Sequence, residues 1–232
     1  MTAVFVGLLA CLVALFSLVL PISSAGRPAA RQMICTDNLK QIALALESYH
    51  GTHGCYPPTV LTDGSGKPMH SWRVLILKEI APDIYAAYDF SEPWDGPNNS
   101  KLAAKIPPIF SCPNDSANRD IHTFYTNYVA VVGPATAFSR DSPTQHDDIR
   151  RTRDETILAA ETTGSRIHWM EPRDLDSTRI SFSFNDSSRP SISSHDPRGP
   201  GLLLADGTVR RYRQPISPEV LKAMTRIAGQ FK

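Results

Sequence analysis

The N-terminal segment constrains the fold of this chain more than any other feature, because it is apolar on every face. Residues 3–20 carry no charge, and Ser17 is the only polar residue among them. At ~1.5 Å rise per residue, a helix of that length is about 27 Å long, close to the ~30 Å hydrocarbon core of a bilayer. A buried helix of a soluble domain fits less well, because the run lies at the chain terminus and lacks a polar stripe. We therefore predict a transmembrane anchor over residues 1–25.

A cleaved secretory signal is the alternative interpretation of this segment. Ser23 and Ala25 place small residues at the two positions that a signal peptidase inspects, so cleavage would follow Ala25. The apolar run is longer than the ~7–15 residues of a typical signal, and no Lys or Arg precedes it. The length favours a retained anchor. The charges leave its orientation open, because Arg27 and Arg31 follow the run while only the α-amine precedes it.

The rest of the chain has the composition of one loop-rich globular domain. Lys and Arg total 24 of 232 residues and Asp and Glu total 23, so the net charge of +1 lacks the basic excess of a nucleic-acid-binding protein. The 19 prolines and 13 glycines are scattered, and apolar segments recur throughout, which excludes a low-complexity or disordered chain. We predict one domain over residues 31–232 and no nucleic-acid partner.

Residues 31–50 have the periodicity of an amphipathic helix. Its apolar face, expected to pack against the rest of the domain, comprises Ile34, Leu39, Ile42, Leu46 and Tyr49. The helix either starts afresh, with Thr36 or Asp37 as its N-cap, or continues from the apolar segment. Two glycines in residues 51–54 and the prolines at 57–58 predict its end.

Several strand patterns follow, and then a final helix. Aromatic and β-branched runs predict strands in FYTNYVAVVG, TILAAET and RIHWM, and GLLLADGTVRRYR predicts a hairpin that turns at Asp206 and Gly207. Shorter helices are predicted in SWRVLILKEIAP and over residues 99–106. SPEVLKAMTRIAG predicts a C-terminal helix with Ser217 as its N-cap and Gly229 at its end. The order predicts an α+β fold with a β-rich antiparallel head, because strands and helices do not alternate.

The sequence contains no motif that is typical of catalysis or cofactor binding. It has no C-x-x-C pair, nucleophile elbow, Walker motif or dinucleotide fingerprint. His50 and His53 have the i, i+3 spacing of metal ligands, but no third ligand is visible nearby and the adjacent glycines indicate a turn. We therefore expect no enzymatic activity, no metal and no cofactor. A hydrolase would require the fold to bring a histidine, a carboxylate and a nucleophile together.

The tryptophans and cysteines each leave two interpretations open. Core packing is the default role of the tryptophans, and a platform for a carbohydrate or peptide ligand is the alternative for Trp72, Trp94 and Trp169. The cysteines outside the apolar segment are Cys35, Cys55 and Cys112. They would form one disulfide and one free thiol in an oxidising compartment, or three thiols in a reducing one.

Several local strings occur together in the order typical of one family. They are CTDNLKQIALALESYHGTHGCYPP, SWRVLIL, YDFSEPWDGPNNSKL, IFSCPND, TNYVAVVGPATAF, TILAAE, WMEPRDL and LLLADGTVRRY. Over most of residues 31–229 the chain resembles a planctomycete-type family described as domain of unknown function 1559. The same family is also labelled a bacterial extracellular solute-binding family.

The resemblance implies a pseudopilin-like architecture, in which a pilin-like helix spine carries a globular head outside the cytoplasmic membrane. It implies a single-pass protein of the cell envelope that contacts the membrane and other pseudopilin-like subunits through its N-terminal helix. It also implies a disulfide between Cys35 and Cys112, since both lie in matching strings, while Cys55 stands where family members often have Ser or Thr.

The chain departs from the family pattern at two points. It has no acidic residue before Asp37, so the prepilin cleavage signature is missing, and we expect either a lost leader or a gene start assigned too late. Family members end with a histidine followed at fixed spacing by Asp-Gly. The pair matches at Asp206 and Gly207, whereas His195 is followed by ten residues before the pair instead of nine.

These observations predict a membrane-anchored, pseudopilin-like envelope protein with a structural or interaction role. An extracellular module that binds a carbohydrate or a peptide is the alternative, as the family label suggests. The two differ in a feature that the fold decides, because a binding module needs a cleft and a structural head does not.

Overall fold

The computed structural model describes residues 2–115, 123–138, 143–149 and 152–227, and for residues 2–28 it describes the backbone only. The α-helices are α1 (Thr2–His53), α2 (Trp72–Leu75), α3 (Leu77–Ile80), α4 (Pro82–Ala87) and α5 (Pro218–Met224). Short 3-10 helices lie at Asn99–Lys105, Pro108–Phe110, His146–Asp148 and Arg153–Glu155. The strands are β1 (Val60–Thr62), β2 (Pro68–Ser71), β3 (Tyr128–Val132), β4 (Ile157–Glu161), β5 (Leu175–Asp176), β6 (Gly201–Leu204) and β7 (Val209–Arg211).

Helix α1 runs without interruption for 52 residues, so the alternative of a fresh start near Thr36 is wrong. The Thr36 hydroxyl instead donates a hydrogen bond to the Gln32 carbonyl inside the helix. The helix ends at His53, and Gly54 follows in the left-handed region at φ +73°. The predicted end is confirmed at Gly54, where the missing Cβ permits that backbone conformation.

The predicted anchor over residues 1–25 lies outside the residues whose side chains are described. Within the described part of the chain, no helix combines the length and the hydropathy needed to cross a membrane.

The head is built on a five-stranded sheet with the order β5-β3-β4-β6-β7. Strand β3 pairs with β5 in parallel, and the other neighbours pair antiparallel, so the α+β head is rich in antiparallel pairs but mixed. Strands β1 and β2 form a separate two-stranded antiparallel ribbon. The prediction of a strand in RIHWM is wrong, because the segment makes only an isolated bridge from His168 to Tyr125 and then turns, with the Glu171 amide donating to the His168 carbonyl.

The sheet is covered on both faces. Side chains alternate between the faces along a strand, so Tyr128 and Ala130 of β3 point into the core beneath α1. Val129 and Val131 point into a second core, which α5 and the loops after β5 cover. One face of the sheet therefore packs against the long helix α1, and the other face packs against α5 and the loops after β5.

The predicted apolar face of α1 meets the first of these cores. Leu39, Ile42 and Leu46 are fully buried, and Tyr49 packs partly buried against the core. Ile34 is 48% exposed, so its predicted burial is wrong. Among the α1 residues whose side chains are described, the first buried one is the next residue, Cys35, which is where the disulfide joins the helix to the head.

Candidate functional site

The tryptophans proposed as a ligand platform are placed mainly in the core. Trp72 and Trp169 are fully buried, so neither ring offers a face to a ligand. The Trp72 indole donates to Asp174 and the Trp169 indole to the Ala103 carbonyl, at 3.1 and 3.0 Å. Trp94 is half-buried, with its ring centroid 5.1 Å from that of His168. The aromatic-platform interpretation therefore does not hold for Trp72 and Trp169, whose role is packing.

Cys35 and Cys112 form the predicted disulfide, and Cys55 is free and half-buried. The bond joins α1 to the segment after the 3-10 helix Pro108–Phe110, with Cα atoms 5.1 Å apart. One turn further along α1, Asn38 donates to the Ser111 carbonyl at 3.0 Å and to the Tyr128 hydroxyl at 3.2 Å. Helix α1 is thus held to the head covalently and by buried hydrogen bonds.

A buried ion-pair network lies beside the disulfide. Arg211 binds both carboxylate oxygens of Glu161, at 2.6 and 2.9 Å, and also approaches Asp196 at 3.4 Å. The ligand atoms of Cys35, Cys112 and Glu161 lie within 4.8 Å of one another, the only such group among the described residues with metal-ligand spacing. The disulfide uses both sulfur atoms and Arg211 holds the carboxylate, so in this state the group is structural.

The histidines at the end of α1 do not converge on a metal position. His53 stacks on Tyr49, whereas His50 stacks on His146 with ring centroids 3.5 Å apart and planes 7° apart. Parallel stacked rings direct their nitrogen lone pairs along parallel planes, so they do not point at one ion. His146 lies 3.3 Å from Glu47, and burial lowers the pKa of His146, with the Arg153 and His50 charges acting in the same direction.

The C-terminal family motif is divided between two places. Asp206 and Gly207 form the turn of the β6–β7 hairpin, where the Gly207 amide donates to the Leu204 carbonyl at 2.9 Å. His195 has a side chain that is 57% exposed, with Nε2 3.8 Å from the Asp115 carboxylate. Within the described residues, no hydrogen bond or ion pair joins His195 to Asp206. The fold therefore does not bring the two parts of the motif into direct contact.

Arg73 and Asp174 form a fully buried ion pair that the sequence patterns did not predict. The side chains of Arg73 and Asp174 are 0% and 1% exposed, and Arg73 Nη1 lies 2.7 Å from Asp174 Oδ1. The same oxygen accepts hydrogen bonds from the Trp72 indole and the Ala130 amide. Burial raises the pKa of Asp174, and the Arg73 charge opposes that rise. The available signal was an arginine inside the apolar run SWRVLIL, since a charge buried there needs a partner.

A cavity with a volume of about 820 Å³ lies at the edge of the sheet, beyond β4 and beside β5. Three segments form it, comprising residues 162–167, 173–180 and 185–195. Its hydroxyl-bearing side chains are Thr162, Thr163, Ser165, Ser187, Ser188, Ser191, Ser193 and Ser194. Its charged side chains are Arg173, Asp174, Asp176, Arg179, Asp186 and Arg189, with His195 at one end. The lining contains no Phe, Tyr or Trp.

The walls of this cavity are tied together by hydrogen bonds. Ser193 Oγ accepts from the Thr163 amide at 2.9 Å, and Thr162 donates to the Ser191 carbonyl at 3.1 Å. The Asn185 side chain accepts from the Ser194 amide at 2.8 Å. The cavity was not predictable from periodicity, because much of its lining comes from a long irregular run without a hydrophobic repeat. A concentration of Ser and Arg in that run is the signal that was available.

The comparisons with known proteins agree with the family resemblance. A family model named SBP_bac_10 and described as "Protein of unknown function (DUF1559)" matches residues 24–162. The matched span includes both disulfide cysteines and strands β1 to β4, and it ends before most of the cavity and before His195. Neither the curated proteins nor the solved structures contain a match to the chain. Because the family model covers more than half of its length, the chain belongs to the family of proteins of unknown function DUF1559.

Proposed function

We propose that the chain is a membrane-anchored, pseudopilin-like envelope protein that carries its head on the C-terminal part of α1. The observation that supports this most strongly is the attachment of α1 to the head at Cys35, because the apolar residues 3–20 lie on the same continuous helix. Leu20 and Cys35 are fifteen positions apart on the helix, which is about 22 Å at 1.5 Å per residue. That distance would hold the head clear of a bilayer that contained residues 3–20.

The disulfide supports a position on the extracytoplasmic side of the membrane. Disulfides persist in oxidising compartments and are rare in the cytosol. Cys35 and Cys112 are both buried, so the bond is shielded within the junction between α1 and the head.

A structural or interaction role agrees with the free side of α1. Met33 and Leu44 are 64% and 72% exposed, although both are large and apolar. They are eleven residues apart, and eleven residues make about three helical turns, so both side chains lie on nearly the same side of α1. We propose that this side, together with the apolar N-terminal part of α1, contacts other pseudopilin-like subunits.

Membrane fractionation of the full-length chain tests the anchored function. We expect the chain to stay in the membrane fraction after alkaline extraction, with residues 1–25 retained on N-terminal sequencing. A double variant, Leu9→Arg with Leu12→Arg, should move to the soluble fraction, because each arginine opposes insertion by ~2.5–3.5 kcal/mol. A soluble wild-type chain that begins at Gly26 would contradict the proposal.

A solute-binding module is the second candidate, and the cavity of about 820 Å³ favours it. Ligand pockets in proteins usually measure ~300–1,000 Å³. An anchored protein can carry such a head, so the two functions are compatible. Among the described residues no seryl hydroxyl is hydrogen-bonded to His195, so we propose binding rather than hydrolysis. Thermal unfolding of the full chain in a library of saccharides, amino acids and dipeptides tests this candidate by a ligand-dependent rise in Tm.

A further inference from the structure

We propose that the cavity beyond β4 binds an acidic saccharide, with Arg179 and Arg189 holding its carboxylate or sulfate group. The proposal rests on the solute-binding candidate and names the class of ligand. It follows from which charges in the cavity are already paired and which are not.

The acidic side chains of the cavity are engaged with their own chain. Asp174 is paired with Arg73. Asp176 accepts hydrogen bonds from the amide and hydroxyl of Thr178, and Asp186 accepts the same two bonds from Ser188. These carboxylates therefore have local structural roles. Asp176 and Asp186, which are not buried as Asp174 is, remain able to accept further bonds from ligand hydroxyl groups.

The arginines of the cavity differ in whether their guanidinium groups are bound to other protein groups. Arg173 donates to Glu171 at 2.6 Å and to the Arg166 carbonyl at 2.9 Å, so its guanidinium is held against the protein. Arg179 and Arg189 line the cavity, and no ion pair or side-chain hydrogen bond joins either guanidinium to another described residue. Hydrogen bonds from Ser188 and, to a smaller extent, the charge of Arg189 lower the pKa of Asp186, so Arg189 lies near that carboxylate without binding it. A free guanidinium presents a planar fork that matches a carboxylate or a sulfate with two parallel bonds. Two such groups at one cavity favour an anionic ligand.

The remaining lining indicates a hydroxyl-rich ligand. Seryl and threonyl hydroxyls both donate and accept hydrogen bonds, as sugar hydroxyls do. Ile167, Leu175 and Ile180 supply an apolar surface for the C–H face of a sugar ring. The described lining has no Phe, Tyr or Trp, which disfavours nucleobases and neutral sugars that bind by stacking on large rings and leaves the ionic contact as the main source of affinity.

The walls of the cavity are also held in place by bonds within the protein itself. The buried Arg73–Asp174 pair holds the segment that leads into β5, and the Thr163–Ser193 bonds hold the loop after β4 against the loop of residues 185–195. Groups held in place lose less entropy when a ligand binds. The fixed walls and the two unpaired arginines together form a site for a small acidic sugar.

Calorimetric titration of the full-length chain with defined sugars tests the proposal. The probes are glucuronate and galacturonate for the carboxylate, glucose 6-sulfate for the sulfate, and glucose as the neutral reference. We expect at least one acidic sugar to bind about tenfold more tightly than glucose. The Arg179→Gln, Arg189→Gln double variant should lose at least about tenfold in affinity, since it removes both charge-assisted contacts. Arg213→Gln, at an exposed arginine outside the cavity, should bind as the wild type does.

The possible failures are distinguishable. Equal binding of glucose and the acidic sugars, or unchanged affinity in the double variant, would overturn the acidic class. Binding of amino acids or dipeptides without any sugar would overturn this inference and leave the solute-binding candidate standing. Absence of any ligand across the whole library would overturn both. An unchanged Tm of the unliganded double variant confirms that its fold is intact, because both arginines are exposed.

Discussion

The Asp174 carboxylate is almost fully enclosed, and its two oxygens have different surroundings. Oδ1 accepts hydrogen bonds from Arg73, Trp72 and the Ala130 amide. Oδ2 is buried and has no hydrogen-bond partner. The pair joins α2 to β3 and to the start of β5, so one side chain connects three parts of the fold that are distant in sequence.

We expect Asp174→Asn to destabilise the head by about 3 kcal/mol, because it leaves the buried Arg73 charge without its counter-ion. Asp37→Asn is the matched control, since it removes an exposed pair with Lys40 that is worth at most about 1 kcal/mol. Denaturant unfolding at neutral pH measures both changes. Equal effects of the two substitutions would show that burial does not strengthen the Arg73–Asp174 pair.

The burial of His168 predicts that the free energy of unfolding falls as the solution becomes acidic. Burial lowers its pKa to about 4, with Arg73 acting in the same direction and Glu171 opposing. The unfolded chain, with a histidine pKa near ~6.5, binds a proton that the folded chain does not. This contribution is therefore fully present above pH ~6.5 and is lost as the pH falls from there towards 4.

His168→Asn should remove this pH dependence, because the amide oxygen can still accept from the Met170 amide and does not titrate. Between pH 7 and 4.5 we expect the wild type to lose about 2 kcal/mol more stability than the variant, after allowing for partial solvent screening. Denaturant unfolding at a series of pH values measures the difference. Parallel pH profiles of the two proteins would contradict the prediction.

At the scale of elements, the disulfide determines how firmly α1 is attached. It closes a sequence separation of 77 residues, for which chain entropy predicts about 4 kcal/mol of stabilisation. The double variant Cys35→Ala, Cys112→Ala should lose about that amount in denaturant unfolding, whereas Cys55→Ala should stay close to the wild type because Cys55 is free. Alkylation of Cys35 and Cys112 in the unreduced native protein would contradict the bond itself.

Two glycines near the β6–β7 hairpin provide a matched test of backbone strain and close approach. Gly199 and Gly207 have φ of +88° and +83°. A Cβ at Gly207 would meet open space, whereas at Gly199 it would overlap the Tyr212 carbonyl oxygen. Gly207→Ala should lower the free energy of unfolding by about 1 kcal/mol, because alanine disfavours the left-handed conformation. Gly199→Ala should lower it by about 1 to 3 kcal/mol more, because the added Cβ also meets the Tyr212 carbonyl oxygen. Similar losses in denaturant unfolding would show that the contact at Gly199 relaxes readily.

At the scale of the whole molecule, Cys35 is the first buried residue of α1 among those whose side chains are described, and it joins the helix to the head. Deletion of residues 1–25 should therefore leave the Tm of the head within about 2 °C of the wild type. Leu39→Ala is the contrasting change, because Leu39 is fully buried in the core beneath α1 and its truncation should cost ~2–5 kcal/mol. Differential scanning calorimetry compares the two proteins. A large fall in Tm after the deletion would show that the N-terminal part also supports the head.

Much of the architecture was predictable from local patterns. The end of α1, strands β3 and β4, the β6–β7 hairpin and the Ser217 cap of α5 all match their predicted places, and Ser217 Oγ accepts from the Val220 amide at 3.3 Å. The predicted end of the last helix at Gly229 lies outside the described residues. The segment RIHWM failed as a strand because Trp169 and Met170 reach the core from a turn, so their apolar character does not depend on strand geometry.

The candidate site was much less predictable. Neither the cavity nor the Arg73–Asp174 pair was expected, and the three tryptophans that drew attention do not line the cavity. The cavity arises where three segments without regular periodicity meet beside β5. Of the cavity lining, only His195 was named in advance. The disulfide was also named in advance, and that pairing came from the family resemblance rather than from the spacing of the cysteines.

The sequence by itself determined the amphipathic part of α1 and its end, the central strands, the tight turn and the helix cap, because each depends on residues within a few positions of one another. Only the tertiary structure decided which arginine is buried against a carboxylate and which stay free, and which tryptophans are sealed in the core. These properties depend on contacts such as that between Arg73 and Asp174, which are 101 residues apart. Whether a charge is paired is decided by what the fold places beside it, and a linear pattern does not contain that information.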